Sequence, residues 1–187
     1  MVYYNEGQNI HRPSRVLHPT TNCTWRETNE SFMEVIDLHN NNQVRKITGF
    51  NGSIKDIEVL DQTSRYFILS EGGRNIQEVD INSGTIIEFI KPETRINDLN
   101  ISHDGKYMAG AGFNGTIYVW DLANNNNSIT YPSYAGAQLT SLRFSRDGKY
   151  LVVGELDGLI RLINTKTQAV RIFSDFREQV MDIKFSP

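Results

Sequence analysis

The sequence predicts an all-β fold made of repeated four-stranded antiparallel units. Three observations carry that expectation. A short strand pattern of alternating apolar and polar residues returns about every 41 to 43 residues. A second, more apolar pattern returns in step with it. Asp-Gly or Asn-Gly pairs stand in the turns before and after the second pattern.

The first series comprises Lys55 to Val59 (KDIEV), Asn97 to Ile101 (NDLNI), Thr140 to Phe144 (TSLRF) and Met181 to Phe185 (MDIKF). These are opening strands, with apolar residues at every second position. The second series is Tyr66 to Glu71, Tyr107 to Gly112 and Tyr150 to Glu155, nearly continuous apolar runs that suit strands buried on both faces. Third strands end in an acidic or amide residue, at Val35 to Leu38, Glu78 to Ile81, Val119 to Leu122 and Leu162 to Thr165. Fourth strands are more variable, at Val44 to Phe50, Thr85 to Ile90, Ser128 to Tyr131 and Ala169 to Phe173, as outer strands facing water can be. The pairs Asp104-Gly105 and Asp147-Gly148 join first to second strands, and Asn114-Gly115 and Asp157-Gly158 join second to third. Such pairs enter tight hairpin turns at least cost, so each meander is encoded locally. Four strands per unit at this period describe the blades of a β-propeller.

Composition narrows the function. The chain has 187 residues, 39% hydrophobic and 22% charged, enough for a packed core. A net charge of -3 supplies no excess of cations for phosphates or anionic lipid heads, so direct nucleic-acid binding and membrane insertion are not expected. The single cysteine, Cys23, excludes an intrachain disulfide and fits a reducing compartment, cytoplasmic or nuclear. Residues 1–13 have neither the basic start nor the apolar run of an export signal, and no run of about 18 apolar residues occurs.

The stretches Ser102 to Leu122 (SHDGKYMAGAGFNGTIYVWDL) and Ser145 to Asn164 (SRDGKYLVVGELDGLIRLIN) closely resemble the WD40 repeat, whose usual core reads S-P-D-G-x-x-L-x-S-G-x-x-D-G-x-I-x-L-W-D. The resemblance covers Ile54 to Pro187 well and reaches Ser14 through a divergent first unit. It implies a WD40-type β-propeller with blades at about 14–50, 54–91, 96–134 and 139–174, preceded by a 1–13 extension and followed by the opening strand of a fifth blade at 179–187. Trp120-Asp121 is the one intact WD pair. The Gly-His pair usual in the family appears only as Gly49-Phe50, so the family's buried Asp-His-Ser/Thr-Trp network is not expected to assemble. Asp157 keeps the turn aspartate, Asn114 substitutes for it and Gly73 replaces it. About four blades leave the ring open, to be completed by further chain, by another polypeptide or by a second copy.

In a propeller, the loops joining fourth to first strands and second to third strands gather on one rim, and the resemblance makes that rim the usual partner-binding face. It should carry Phe50, Arg74, Arg95, Phe113, Gln138, Phe176 and Arg177. Exposed Phe and Arg are residue types that anchor interfaces. Trp120 is expected in the core. Asp121 and Asp157 are expected to be structural. The carboxylates Asp37, Asp80 and Asp121 recur one blade apart, too far to share a metal ion, so no metal is expected. His11, His18, His39 and His103 fall in turns or in the irregular N-terminal region, and no GxSxG, P-loop, HExxH or CxxC spacing occurs. The sequence therefore points to a non-catalytic scaffold for other proteins, without cofactor. The alternative is a structural subunit of a large assembly whose incomplete ring a neighbouring chain closes. An enzyme is the weakest reading.

Overall fold

A computed structural model describes residues 21–26, 32–37, 43–60, 63–124, 128–131, 136–174 and 178–185. Its strands form four antiparallel meanders. The first sheet holds β1 (Thr21–Arg26), β2 (Phe32–Asp37) and β3 (Gln43–Thr48). The second holds β4 (Ile54–Val59), β5 (Arg65–Ser70), β6 (Asn75–Asp80) and β7 (Ile86–Ile90). The third holds β8 (Ile96–Ile101), β9 (Tyr107–Gly112), β10 (Ile117–Asp121) and β11 (Ser128–Tyr131), and the fourth β12 (Leu139–Phe144), β13 (Tyr150–Glu155), β14 (Ile160–Asn164) and β15 (Val170–Phe173). A single 3-10 turn, Glu71–Gly73, is the only helical element among the described residues. The sheets follow one another without closing a ring.

The repeated turn explains why each first strand doubles back into the second. The Ser102 hydroxyl donates to Asp104 Oδ1 (2.7 Å) and accepts the Tyr107 N–H (3.0 Å). Ser145, Asp147 and Tyr150 repeat this at 2.8 and 2.9 Å. Serine supplies both donor and acceptor at one atom, so a single hydroxyl ties the turn aspartate to the first amide of the second strand.

Alternation along the second strands distributes apolar side chains to two different interfaces. Tyr66 and Ile68 join Met33, Val35, Ile47 and Phe50 between the first and second sheets. Phe67 and Leu69, one residue out of step, face Ile96, Leu99, Met108 and Trp120 between the second and third. Ala109 and Ala111 face Leu139, Leu142, Leu151 and Val153 between the third and fourth. Each inner strand is therefore apolar on both faces, the condition its continuous apolar run implies. Trp120 is 4% exposed and stacks on Tyr118, with ring centres 5.9 Å apart. Its indole crosses Gly110, where an added Cβ would lie 2.8 Å from the ring.

The opening strands β4, β8 and β12 are the inner edges of their sheets, so half of their backbone groups have no ladder partner. For β8 and β12, side chains of the preceding opening strand supply the partners. Lys55 Nζ donates to Ile96 O (2.9 Å) and Asn97 Nδ2 to Leu139 O (2.7 Å). Asp56 Oδ2 accepts the Leu99 N–H (3.2 Å), Asp98 Oδ2 the Leu142 N–H (3.0 Å), and Asn100 Oδ1 the Phe144 N–H (2.8 Å). The ladder shifts register at the same place in all three strands, between Ile54 and Asp56, Ile96 and Leu99, and Leu139 and Ser141. The extra residue of each bulge is turned out of its own sheet. Lys55, Asn97 and Thr140 stand there, and each donates to a carbonyl of the segment that follows.

Residues 178–185 differ from the expected strand at 179–187. They lie against the fourth sheet: Val180 N–H donates to Glu155 O (3.2 Å), the Thr140 hydroxyl donates to Val180 O, and a Cβ on Gly154 would lie 2.5 Å from Val180. They form no ladder, because no strand among the described residues pairs with them, and strand structure requires that pairing. In the first sheet the expected blade 14–50 is described by three strands, and its first residues lie outside the described ones.

Removing the indole from its site should be costly. Trp120→Ala is expected to lower stability by about 3–5 kcal/mol, the range for emptying a large buried aromatic site. Urea unfolding followed by circular dichroism measures it, and a near-neutral value would contradict the packing described.

Candidate partner-binding rim

Register fixes which loops share an end of the sheets. Ile54 pairs with Ser70, Ile96 with Gly112 and Leu139 with Glu155, so each approach to an opening strand lies beside the hairpin joining second to third strands. The Phe113 N–H donates to Arg95 O (2.8 Å) and the Leu156 N–H to Gln138 O (2.9 Å), the same bond one blade apart.

Two of the expected residues come together here. Arg95 Nε donates to Gly72 O (3.1 Å), and its guanidinium lies 5.4 Å from the centre of the Phe113 ring. Phe113 is 46% exposed. The arginine thus links the 3-10 turn of the second sheet to the β9–β10 hairpin of the third, with an aromatic face held open beside it. That turn approaches β8 closely enough to demand glycine: Gly73 has φ +91°, and an added Cβ would lie 2.2 Å from Ile96 O. Arg74 is exposed one residue further on, and Gln138 is half-buried.

The other expectations are placed differently. Phe50 is buried in the apolar cluster of the first and second sheets, which also holds Ile54 and Ile57 with Ile86 packed against it, and is not exposed on the rim. Phe176 and Arg177 lie outside the described residues, as do the side chains of Asp37 and Cys23. Asp121 accepts the N–H groups of Ala123 (2.9 Å) and Asn124 (3.1 Å), Asp80 those of Asn82 (3.0 Å) and Ser83 (2.8 Å), and Asp157 that of Leu159 (3.3 Å). These carboxylates cap turns. Hydrogen bonds hold two such groups well below the ordinary carboxylate value: Asp80, through the Ser64 hydroxyl and the Ser83 amide, and Asp147, through the Ser145 hydroxyl and Lys149, both at about 2. Among the described residues no group of three or more His, Cys, Asp or Glu is placed to hold a metal ion.

With this geometry in place, comparison with known proteins finds the same repeat. A model described as WD domain, G-beta repeat, matches residues 85–121 and 127–164. The chain carries WD40 repeats. Each matched repeat starts at the outer strand of one sheet and ends with the third strand of the next, so neighbouring sheets are interlocked by the chain itself. Similar proteins include ROOT INITIATION DEFECTIVE 3 of Arabidopsis thaliana, 33% identical over 88 residues, which are 47% of this chain and 19% of that protein. Eukaryotic translation initiation factor 3 subunit I of Eremothecium gossypii is 26% identical over 164 residues, 79% of this chain and 47% of that one. Target of rapamycin complex subunit wat1 of Schizosaccharomyces pombe is 27% identical over 97 residues, 51% and 30% of the two. The matches thus span from about a fifth to about half of each relative's length.

Two features of the WD40 rim escaped the sequence reading. Leu156 is 45% exposed at the position of Phe113, and its offset after Glu155, matching Phe113 after Gly112, was the signal that could have found it. Arg161 is 1% exposed, bonds Glu155 through Nε, and donates from Nη2 to Gly115 O (3.2 Å). A buried ion pair in the fourth sheet thereby holds the hairpin that carries Phe113.

Removing one partner of such a pair leaves the other charge buried. Arg161→Leu is expected to cost about 3–5 kcal/mol in urea unfolding. The double variant Arg161→Leu, Glu155→Met should recover much of that loss, and equal losses in single and double variants would contradict a paired role.

Proposed function

We propose that this WD40 chain is a non-catalytic protein-interaction scaffold, a subunit of an intracellular multiprotein assembly, with a partner held on the rim that bears Arg95 and Phe113. The single observation that carries this reading is the exposed Phe113 ring fixed beside the Arg95 guanidinium. Aromatic and arginine side chains anchored in advance lose little freedom on binding, which is what makes such residues interface anchors. Exposed Arg74 and Leu156 extend the same rim. The names of two relatives support the assembly part of the proposal, one being a subunit of an initiation factor and one of the target of rapamycin complex.

A second reading is favoured by residues 178–185, where Met181 and Phe185 are 60% and 42% exposed. In it the arc of sheets is itself structural, and the ring is completed by further chain, a neighbouring polypeptide or a second copy covering this segment.

The two are separated by affinity purification of the full chain from its native cells with quantitative mass spectrometry. Phe113→Ala and Arg95→Glu are expected to deplete a defined set of co-purifying proteins by about tenfold or more, the scale of an interface anchor, with thermal unfolding unchanged. An unaltered set in both variants overturns the rim proposal. Loss of that set on Met181→Asp instead favours the structural reading.

A further inference from the structure

The opening strands have a second end. β8 runs from Ile96, beside Arg95, to Ile101, and β12 from Leu139 to Phe144, so their far ends stand about 17–20 Å from the rim described above at the ordinary rise of a strand. Between these far ends and residues 184–185 lies a cleft of about 440 Å³. Its walls carry Asn100, His103, Arg143, Ser145, Arg146 and Lys184, together with the buried Phe144 and the exposed Phe185, and no carboxylate lines it.

The cations are not equivalent. Arg143 is 13% exposed and is held from behind by Asp98, with Asp182 at 3.9 Å, so it is largely neutralised and fixes the shape of the cleft. Lys184 is 78% exposed and reaches Asp182 at 3.2 Å. Arg146 is exposed and makes no hydrogen bond or ion pair with any described residue. The turn carboxylates next to the cleft are already engaged: Asp104 by the Ser102 hydroxyl and Lys106 (3.5 Å), and Asp147 by the Ser145 hydroxyl and Lys149 (3.0 Å). The chain as a whole carries a net charge of -3, so this concentration of cations around an aromatic surface is a local departure.

We infer that this cleft is a second binding site, taking an acidic peptide segment of a partner protein, with carboxylates on Arg146 and Lys184 and an apolar side chain against the exposed Phe185. Charge complementarity selects the occupant. A volume of this size takes a short peptide stretch or a small ligand. A nucleic-acid backbone would need a longer run of uncommitted cations to neutralise successive phosphates, and Lys106 and Lys149 beside the cleft are each paired with a turn carboxylate. The aromatic surface gives a peptide side chain a contact that an inorganic anion cannot use. The site is independent of Arg95 and Phe113, because it stands at the opposite end of the same strands.

Fluorescence anisotropy on the full chain tests it, with a labelled hexapeptide of four glutamates and two leucines, its glutamine counterpart, and a labelled single-stranded oligonucleotide. The acidic peptide is expected to bind saturably, more weakly at high salt, and Arg146→Glu to weaken it by about tenfold or more, as loss and reversal of a charged contact should. Phe113→Ala is expected to leave it unchanged, which separates this site from the rim. Arg146 is exposed in a turn, and an unchanged circular dichroism spectrum confirms that its variant is folded. Equal binding of the glutamine peptide, no binding of the acidic one, indifference to Arg146→Glu, or preference for the oligonucleotide would each overturn the assignment.

Discussion

The inner edges of the third and fourth sheets pose the constraint that the rest of the structure answers. An edge strand presents unpaired N–H and C=O groups, and left bare it is a template for association. Here the preceding opening strand meets those groups with side chains: Lys55 and Asn97 donate to carbonyls of β8 and β12, while Asp56, Asp98 and Asn100 accept their amides. The bonds fix each sheet against its neighbour along the strand direction, which apolar packing alone does poorly because it has no directional preference. Asp98, itself buried, also holds Arg143, so one carboxylate serves both the edge and the cleft beyond it.

Apolar packing supplies the separation between the sheets. Two features show how closely it is fitted: the Trp120 indole crossing Gly110, and the 3-10 turn pressed through Gly73 onto β8. A rigid frame then offers different chemistry at its two ends. At the starts of the opening strands an aromatic ring and an arginine are held by backbone bonds and by the buried Arg161–Glu155 pair acting through Gly115. At their far ends cations surround an aromatic cleft. On the scaffold proposal, such separation lets two partners be held on one body without competing.

Much of this frame was legible in the sequence, because strand alternation and Asp-Gly turns are local signals with a fixed physical meaning. The burial of Trp120 could be anticipated in the same way. The fate of Phe50 could not: a phenylalanine following Gly49 reads equally as rim or core, and only the assembled apolar cluster of the first and second sheets decides. Arg161 was equally hidden, since a charged residue in a third strand reads as solvated until Glu155 and Gly115 are seen around it. The polar positions of the opening strands were visible as an alternating pattern, but alternation says which residues avoid the core and not what they bond. The segment at 178–185 carries the same pattern and docks in the same direction, yet a strand is a property of pairing and not of one sequence alone.

The central claim is that side chains of one opening strand satisfy the edge of the next, and amide hydrogen exchange resolved by residue tests it most directly. In Asp98→Ala the Leu142 amide should lose protection selectively, whereas Leu99, whose acceptor is Asp56, should keep its own, with Asp56→Ala giving the reverse pattern. Uniform loss across both strands, or unchanged protection at Leu142 without Asp98, would contradict the account and leave apolar packing as the sole force aligning the blades.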